Sequence, residues 1–321
     1  MRLVTRADFD GLVSGAIITL MEEIDSYLFV EPKFMQDGMV EIRPGDIIAN
    51  LPYHPASSLW FDHHITNRDW NFDSPIVPGK GGFRLAPSAA RVVYEYYITE
   101  GGRQQATGRR IKEGFTILQS ERMRYLLEET DKVDAALLTP EEVLHPAGYV
   151  LVSMTIDGKS AEDEPYWLRL IDLLRDAPLD EVLAEPEVKR RCREILNAEE
   201  TLKKILLERT TLRGNVILVD LRGLKEIPDG NRFLLYTLFP TGNISVKVAD
   251  DSQRPDTTAI SVGYNIFNST SKVNVGELLQ KYGGGGHRVV GSCRVPTGDA
   301  EKALGEILEA VQEGGRGANR R

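Results

Sequence analysis

The sequence predicts an α/β protein of two domains joined by a helix. The first domain is expected to contain a doubly wound, mostly parallel sheet, and the second to be a smaller α/β domain. Three observations indicate this fold class: strand patterns alternate with a helical pattern at the start, a long helical stretch follows, and β-rich runs begin after Gly214. We place the first domain at residues 1–185, the connector helix at 186–213, the second domain at 214–312 and a flexible tail at 313–321.

The first domain opens with strand and helix patterns in alternation. Between the first two strand patterns, apolar residues from Leu12 to Met21 recur at helical spacing, and such a β-α-β start is typical of a parallel sheet. A further helix is predicted to begin near Ser88, because serine is a good N-cap. Residues 101–105 are interpreted as a surface loop. The strand patterns are Arg2–Thr5, Tyr27–Val30, Asp46–Ala49 and Leu59–Phe61.

The rest of the chain changes from helical to β-rich patterns. Helical spacing extends from Pro165 to about Arg175 and from about Pro186 to Thr211, and we interpret the second stretch as the connector. The tail is rich in Gly and Arg and is expected to fray. Four β-rich runs, each closed by Pro, Gly or Asn, predict strands of the second domain: Val216–Asp220, Phe233–Phe239, Ile244–Ala249 and Thr258–Tyr264.

Composition restricts the possible functions. The 321 residues carry 39 Lys and Arg against 48 Asp and Glu, and a net charge of −9 is unlike that of proteins that bind duplex DNA. A hydrophobic content of 41% excludes disorder. The chain has no apolar run of about eighteen residues and no signal-peptide pattern, so we expect a cytoplasmic protein without a membrane partner. Two cysteines, Cys192 and Cys293, are interpreted as reduced thiols.

Polar residues follow three of the predicted strands. Asp8 and Asp10 follow the first, Asn50 follows the third, and Asp62-His63-His64 ends the fourth. Ligands of open parallel sheets bind beyond the carboxyl ends of the strands, so these side chains are expected to converge. Carboxylates with imidazole suit Mn²⁺, Mg²⁺ or Zn²⁺. A metal there would polarise a phosphoryl oxygen and activate a water, which predicts phosphate-ester hydrolysis.

Two alternatives stay open for these residues. Asp10 could instead cap the helix that begins near Leu12. His63 and His64 could be inert core residues, although adjacent histidines after a buried strand point in different directions. His54 and His145, each beside a proline, are interpreted as loop residues.

A run of four glycines, Gly283 to Gly286, follows helical spacing in the second domain. One glycine would suffice to end the helix. Four allow the backbone to approach a ligand and to offer N–H groups to phosphate oxygens, and His287 and Arg288 can add charge. The alternative is a flexible turn before the next strand.

Four motifs together resemble the DHH phosphoesterase superfamily with its DHH-associated C-terminal domain: Asp8-Phe9-Asp10-Gly11, Asp62-His63-His64, Glu129-Thr130-Asp131 and Gly283-Gly284-Gly285-Gly286-His287. The resemblance covers nearly the whole chain and is nearest to the exopolyphosphatase-related proteins. It implies a hydrolase that uses one or two Mn²⁺ or Mg²⁺ ions and binds its substrate between the two domains, and it implies a homodimer.

The resemblance also implies a role for each matching residue. Asp134, one turn after Asp131, is a possible partner of the metal ligands or a surface residue. The implied metal ligands are Asp8, Asp10, Asn50, His63 and Asp131, the catalytic residues are Asp62 and His64, and the substrate-binding residues are Arg6, Gly284, Gly285, Gly286, His287 and Arg288.

The chain departs from the family pattern at two ligand positions. Val4 stands where many members have a histidine, and Asn50 where they have an aspartate. These changes put activity in doubt and leave Asp10, His63 and Asp131 as a single-ion set with Asp8 nearby. Arg6 could pair with Asp8 or neutralise a substrate phosphate, since guanidinium forks onto phosphate oxygens. His54 could supply a replacement ligand.

The predicted function is hydrolysis of a small phosphorylated substrate: a short oligonucleotide, a nucleoside bisphosphate or a cyclic dinucleotide. Nuclease-like members have a Ser-x-Arg pattern where this chain has Ser261-Val262-Gly263, which disfavours recognition of a long nucleic-acid chain. Residues 160–187 hold nine acidic and two basic residues, so most of the negative charge lies away from the predicted site. The alternatives are a catalytically reduced nucleotide- or phosphate-binding relative and an exopolyphosphatase.

Overall fold

The computed structural model divides the chain into two compact units. The first comprises Met1–Glu142 and Pro146–Arg193, and the second comprises Val143–His145 and Glu194–Arg321. The structure describes residues 1–64, 76–77, 80–99, 104, 106–108, 111–158, 160–228, 230–251 and 254–316. The predicted loop at 101–105 lies outside these residues, apart from Gln104.

The first unit contains a six-stranded sheet whose order is β2-β1-β3-β4-β6-β5. Five strands are parallel, and β5 pairs antiparallel with β6. The predicted doubly wound, mostly parallel sheet is therefore confirmed. The strands are β1 (Arg2–Thr5), β2 (Ser26–Phe29), β3 (Ile47–Ala49), β4 (Leu59–Asp62), β5 (Ile76–Val77) and β6 (Gly81–Phe83).

Alternate residues of the central strands are buried on opposite faces of this sheet. Leu3 lies beside Gly15 of helix α1 (Phe9–Met21), where a Cβ added to the glycine would be 3.2 Å from a Leu3 methyl carbon. Val4 is buried in another cluster, with Ile48 and Trp60. Position 4 therefore contributes to the core.

Ten α-helices of the described chain, α1 among them, precede the second sheet. Helix α3 begins directly after Ser88, whose hydroxyl accepts the N–H of Arg91, so the predicted N-cap is confirmed. The helices after α1 are α2 (Pro32–Gln36), α3 (Ala89–Ile98), α4 (Ile111–Leu118), α5 (Glu121–Asp134), α6 (Pro140–Leu144), α7 (Gly148–Met154), α8 (Glu164–Asp176), α9 (Leu179–Ala184) and α10 (Pro186–Arg209).

The second unit contains a six-stranded sheet of order β11-β12-β10-β9-β8-β7. Only the β8 and β9 pair is parallel among the described pairings. Helices α12 (Val275–Gln280) and α13 (Ala300–Arg316) contribute to its core. The strands are β7 (Thr210–Arg213), β8 (Val216–Asp220), β9 (Ile244–Asp250), β10 (Thr257–Tyr264), β11 (Gly285–Gly286) and β12 (Val290–Pro296).

Three expectations of secondary structure differ from the fold. The run Phe233–Phe239 forms helix α11 (Leu234–Leu238), not a strand, because its leucines favour a helix and do not alternate with polar residues. The connector helix is predicted to reach 213, but it ends at Arg209 and residues 210–213 form β7, where Thr210 pairs with Val219.

The tail also differs, since α13 extends to Arg316 and residues 313–316 are helical. Buried residues of the preceding turns, among them Ile307 and Val311, hold this helix on the core of the second unit. Residues 317–321 lie outside the described part of the chain.

Among the described residues, no helix combines the length and apolar character that crossing a bilayer requires. Cys192 and Cys293 are both free and buried, as expected. Burial raises the pKa of the Cys192 thiol to about 11, so it is a neutral core group.

The glycine run has a packing reason at most of its positions. Gly283 has a φ of +69°, a backbone conformation that favours glycine. A Cβ on Gly284 would overlap the carbonyl oxygen of Ser292, and one on Gly286 would overlap the backbone of Val290. Gly285 has open space on its Cβ side and no positive φ. The fold therefore requires three of these glycines and leaves the fourth unexplained.

We expect Gly284→Ala and Gly285→Ala to affect stability differently. Gly284→Ala should lower the free energy of unfolding by about 2 kcal/mol, because strand β12 must move away from the new methyl group. Gly285→Ala should change it by less than about 1 kcal/mol, in the stabilising direction, because alanine restricts the unfolded chain. Urea unfolding of both variants measures the difference, and equal losses would contradict the packing assignment.

Candidate active site

The predicted convergence of polar residues occurs at the carboxyl ends of β1, β3 and β4, which are neighbours in the first sheet. Asp8 directly precedes α1 and caps it, since its Oδ1 accepts the N–H of Gly11 at 2.8 Å. The side-chain amide of Asn50 donates to the same oxygen at 2.9 Å. Asn50 has a φ of 57°, which asparagine tolerates better than most residues. Asp8 and Asn50 are therefore held together at the sheet edge.

The buried carboxylate of Asp10 bonds to a second helix. Its Oδ2 and Oδ1 accept the N–H groups of Ala89 and Ala90, the first residues of α3, each at 2.8 Å. The first N–H groups of a helix lack partners within the helix, so this carboxylate satisfies two of them. Asp8, not Asp10, caps α1, and the capping alternative for Asp10 is wrong.

Burial of Asp10 raises the pKa of its carboxyl well above the ordinary value. The nearby carboxylates of Asp134 and Asp8 raise it further, while the two backbone N–H groups lower it. A positive charge beside Asp10 would therefore stabilise the ionised form.

His63 presents an unpaired nitrogen to two carboxylates. Its Nδ1 lies 2.9 Å from the carbonyl oxygen of Ala86, which can only accept, so Nδ1 donates. In the neutral ring, Nε2 then has a free lone pair. This buried Nε2 has no hydrogen-bond partner among the described residues, and it lies 3.3 Å from Oδ2 of Asp134 and 3.7 Å from Oδ2 of Asp10.

The side chains of Asp10, His63 and Asp134 form a group that fits a divalent cation. One donor atom from each residue lies within 4.8 Å of the other two. A lone pair that faces two carboxylate oxygens is unfavourable unless a proton or a cation lies between them. One imidazole and two carboxylates are ligands that suit Mn²⁺ or Mg²⁺. The orphaned Nε2 is thus the observation that supports an ion here.

Asp131 is not part of this group, although the family resemblance implies that it is a ligand. The guanidinium of Arg91 donates to its Oδ2 through both Nε, at 2.8 Å, and Nη2. The hydroxyl of Ser88 donates to its Oδ1 at 2.6 Å. Asp134, three residues later in α5, faces His63 in its place. The spacing of the two aspartates indicates a shared helix face, but it does not show which one Arg91 binds.

Asp62 and His64 form a second pair beside this group. Asp62 is fully buried, and its Oδ1 lies 2.8 Å from Nδ1 of His64. The hydrogen bond to Asp62 raises the pKa of His64 above its ordinary value, against the opposing effect of partial burial. The imidazole ring of His64 lies 4.3 Å from that of His63 and is tilted by 58° to it. The two adjacent histidine rings are therefore close together but have different hydrogen-bond partners.

Arg6 is bound to acidic side chains on both sides. Its Nη1 lies 3.2 Å from Oδ2 of Asp8, and its Nη2 lies 3.5 Å from Oε2 of Glu31. The predicted pairing of Arg6 with Asp8 is present. The side chain remains 40% exposed, so a substrate can also reach it.

The other proposed residues lie in different surroundings. The Nδ1 of His54 accepts the N–H of Ala56 at 3.2 Å within its loop, and His54 is not among the residues grouped around His63. The glycine loop belongs to the second unit. The backbone carbonyls of His287 and Arg288 accept N–H groups at the start of α12, which anchors the loop.

A comparison with solved structures identifies the family. The pGpG-specific phosphodiesterase PggH from Vibrio cholerae is 35% identical to this chain, with a TM-score of 0.82. The likeness covers 97% of this chain and 99% of that protein. The chain belongs to the DHH phosphoesterase family.

More distant members share the fold of this DHH phosphoesterase. An exopolyphosphatase-related protein from Bacteroides fragilis is 13% identical over 97% of this chain and 91% of its own, with a TM-score of 0.52. RecJ from Thermus thermophilus, in complex with Mn²⁺, is 15% identical over 98% of this chain and 52% of its own, also with a TM-score of 0.52. No protein-family model and no curated protein sequence matches the chain.

Replacing each of the two aspartates of α5 by asparagine tests which of them could bind a metal ion in this DHH phosphoesterase. Asp134→Asn should weaken Mn²⁺ binding at least about tenfold, because it removes a charge that faces His63. Asp131→Asn should leave the affinity within a few fold and lower the melting temperature, since Arg91 loses its ionic partner. Isothermal titration calorimetry gives the affinities, and the opposite ranking would favour Asp131 as the ligand.

The pKa of His64 should depend on Asp62. In the metal-free protein, an NMR titration should show the imidazole pKa above 6.5, and Asp62→Asn should lower it. A raised folded-state pKa stabilises the protein below the unfolded pKa, and this contribution is lost as the pH rises through the folded value. The stability difference between wild type and Asp62→Asn should therefore shrink with rising pH over that range. An unchanged His64 titration in the variant would contradict the pairing.

Proposed function

We propose that this DHH phosphoesterase is a metal-dependent phosphodiesterase that hydrolyses a linear dinucleotide such as pGpG. The observation that supports this substrate is the whole-length likeness to PggH, whose described specificity is for pGpG. A dinucleotide is also a small phosphate ester, which agrees with the acidic composition of the chain. In the overall reaction, water and pGpG give two molecules of guanosine monophosphate.

The proposed cofactor is one or two ions of Mn²⁺ or Mg²⁺. Asp10, His63 and Asp134 are the residues that would hold one of these ions. An ion held there would supply Lewis acidity toward a phosphate oxygen and lower the pKa of the attacking water. Asp8 and Asn50 lie beside the group and hold each other by their hydrogen bond. The donation from His63 to Ala86 keeps its Nε2 directed at the two carboxylates.

The proposed proton donor is His64, with Asp62 as its partner. Its hydrogen bond to Asp62 uses Nδ1 and leaves Nε2 for a substrate oxygen. The hydrogen bond to Asp62 raises the pKa of His64, which favours the protonated imidazolium. As water attacks the bridging phosphorus and releases a proton to solvent, the bond from phosphorus to the ribose 3′ oxygen breaks, and Nε2 gives its proton to that leaving oxygen. His64 then returns to the neutral form.

The proposed substrate-binding groups are the exposed Arg6 and the glycine loop. The Arg6 guanidinium can form paired hydrogen bonds with a phosphate. Gly285 is the glycine that packing does not require, and its open side allows a ligand to approach the backbone. Gly284, Gly286, His287 and Arg288 are proposed to complete this loop. A homodimer and a cytoplasmic location stay predictions.

The proposal is tested with purified protein and Mn²⁺ on pGpG, a non-guanine linear dinucleotide, cyclic di-GMP, a nucleoside bisphosphate and polyphosphate. We expect metal-dependent turnover of pGpG that falls at least about a hundredfold in His63→Ala. Gly285→Ala, which should fold normally, is expected to raise KM with little change in kcat.

The other outcomes separate the alternatives. Calorimetric binding of pGpG without turnover would overturn the proposal in favour of the catalytically reduced relative, which Val4 and Asn50 would explain. Faster turnover of polyphosphate than of any nucleotide would favour the exopolyphosphatase. A rate that does not depend on metal would exclude the proposed role of the ion.

A further inference from the structure

Four carboxylates of the candidate site, which we call the acidic cluster, fall into two kinds. Asp10 and Asp134 face the unpaired Nε2 of His63. Asp8 and Asp131 are each bonded to an arginine guanidinium. The protein therefore supplies its own cations for one half of this acidic cluster and none for the other half among the described residues.

Both carboxylate oxygens of Asp8 already have a partner within the protein. Arg6 lies 3.2 Å from Oδ2, and Oδ1 accepts from the Gly11 backbone and from the Asn50 amide. A metal ion that bound Asp8 would have to displace Arg6 or lie against the donor hydrogens of Asn50. Both arrangements cost electrostatic free energy.

Asp131 is held still more firmly. Two nitrogens of Arg91 donate to one oxygen and the Ser88 hydroxyl donates to the other. Ser88 is the N-cap of α3, and the first two N–H groups of that helix hold Asp10. A series of hydrogen bonds thus runs from Arg91 through Asp131 and Ser88 to the first residues of α3, which hold Asp10.

Free donor atoms, rather than net charge, indicate how many ions this cluster can hold. Asp10, His63 and Asp134 would give one ion three ligands. The Arg6 guanidinium lies between Asp8 and Glu31. A second divalent ion at Asp8 would lie beside this guanidinium, and the two positive charges would repel each other.

We propose that Arg6 acts as a built-in cation that excludes a second metal ion, and that Arg91 acts as a positioning residue that, through Asp131 and Ser88, fixes the start of α3 and with it Asp10. The site then takes one divalent ion. This inference rests on the proposed metal dependence and adds the number of ions. In this arrangement, the exposed guanidinium of Arg6 would meet a substrate phosphate oxygen in place of the second metal ion.

Counting bound Mn²⁺ tests the role of Arg6. Equilibrium dialysis of the full chain, with the free ion measured by electron paramagnetic resonance, should saturate at one Mn²⁺ per chain for wild type. The double variant Arg6→Gln/Asn50→Asp removes the cation and adds a carboxylate, and it should saturate at two. The matched control is Arg84→Gln, because Arg84 is equally exposed, at 39%, and is paired with Glu95. This control should stay at one.

Two results would overturn this role: a wild type that binds two ions, or a folded double variant that still binds one. If the double variant does not fold, Arg6→Gln alone replaces it, and a second ion at least tenfold weaker than the first is expected. A single ion in that variant would also overturn the role. The count needs no substrate, so a protein that binds one Mn²⁺ and hydrolyses no nucleotide would refute only the proposed function.

The role of Arg91 is tested by affinity. Arg91→Gln should keep one Mn²⁺ but bind it a few fold more weakly, as Asp131→Asn should, because Asp131 and Ser88 no longer fix the start of α3 and Asp10. Arg91→Lys should recover part of the loss, since it restores the charge without the fork. Wild-type affinity in Arg91→Gln would show that the pair has no positioning role.

Discussion

The buried carboxylate of Asp10 joins the beginnings of two helices, and the rest of the candidate site is arranged around that contact. Asp10 lies in the first turn of α1 and accepts the first two N–H groups of α3. A carboxylate that has left water needs such donors, and helix ends buried without partners need acceptors. Ser88, which caps α3, is bonded in turn to Asp131 on α5. Three helices thus meet through carboxylate hydrogen bonds at the edge of the first sheet.

Around this contact the protein distinguishes between carboxylates that look equivalent along the chain. Guanidinium groups and amide donors satisfy Asp8 and Asp131, whereas Asp10 and Asp134 remain beside the unpaired Nε2 of His63. In a partly buried site, some carboxylates are paired with arginine and others are free to bind a metal ion. This distribution of positive charge decides where the negative charge of a substrate can bind. The proposed dinucleotide substrate rests on the whole-length likeness to PggH.

Much of the architecture can be predicted because it depends on local patterns. The helix N-cap at Ser88 and the parallel sheet follow from residue types and from hydrophobic spacing, and both are present. The strand prediction for Phe233–Phe239 is wrong, because a short apolar run lacks the period that separates strand from helix. The glycine run resembles a ligand loop throughout, but Gly284 and Gly286 have packing reasons that become visible only against β12, and Gly283 has a positive φ.

At the candidate site, the order of the chain is enough to indicate which strand ends meet, because parallel strands present their carboxyl ends at one edge. Asp8, Asp10, Asn50 and the Asp62-His63-His64 motif lie there accordingly. Only the folded chain shows that Asp134 rather than Asp131 faces His63, because Arg91 reaches Asp131 from another helix, 40 residues away in sequence. Spacing along a helix specifies which residues share a face, but the partner of each charge is decided by side chains that the fold brings from elsewhere.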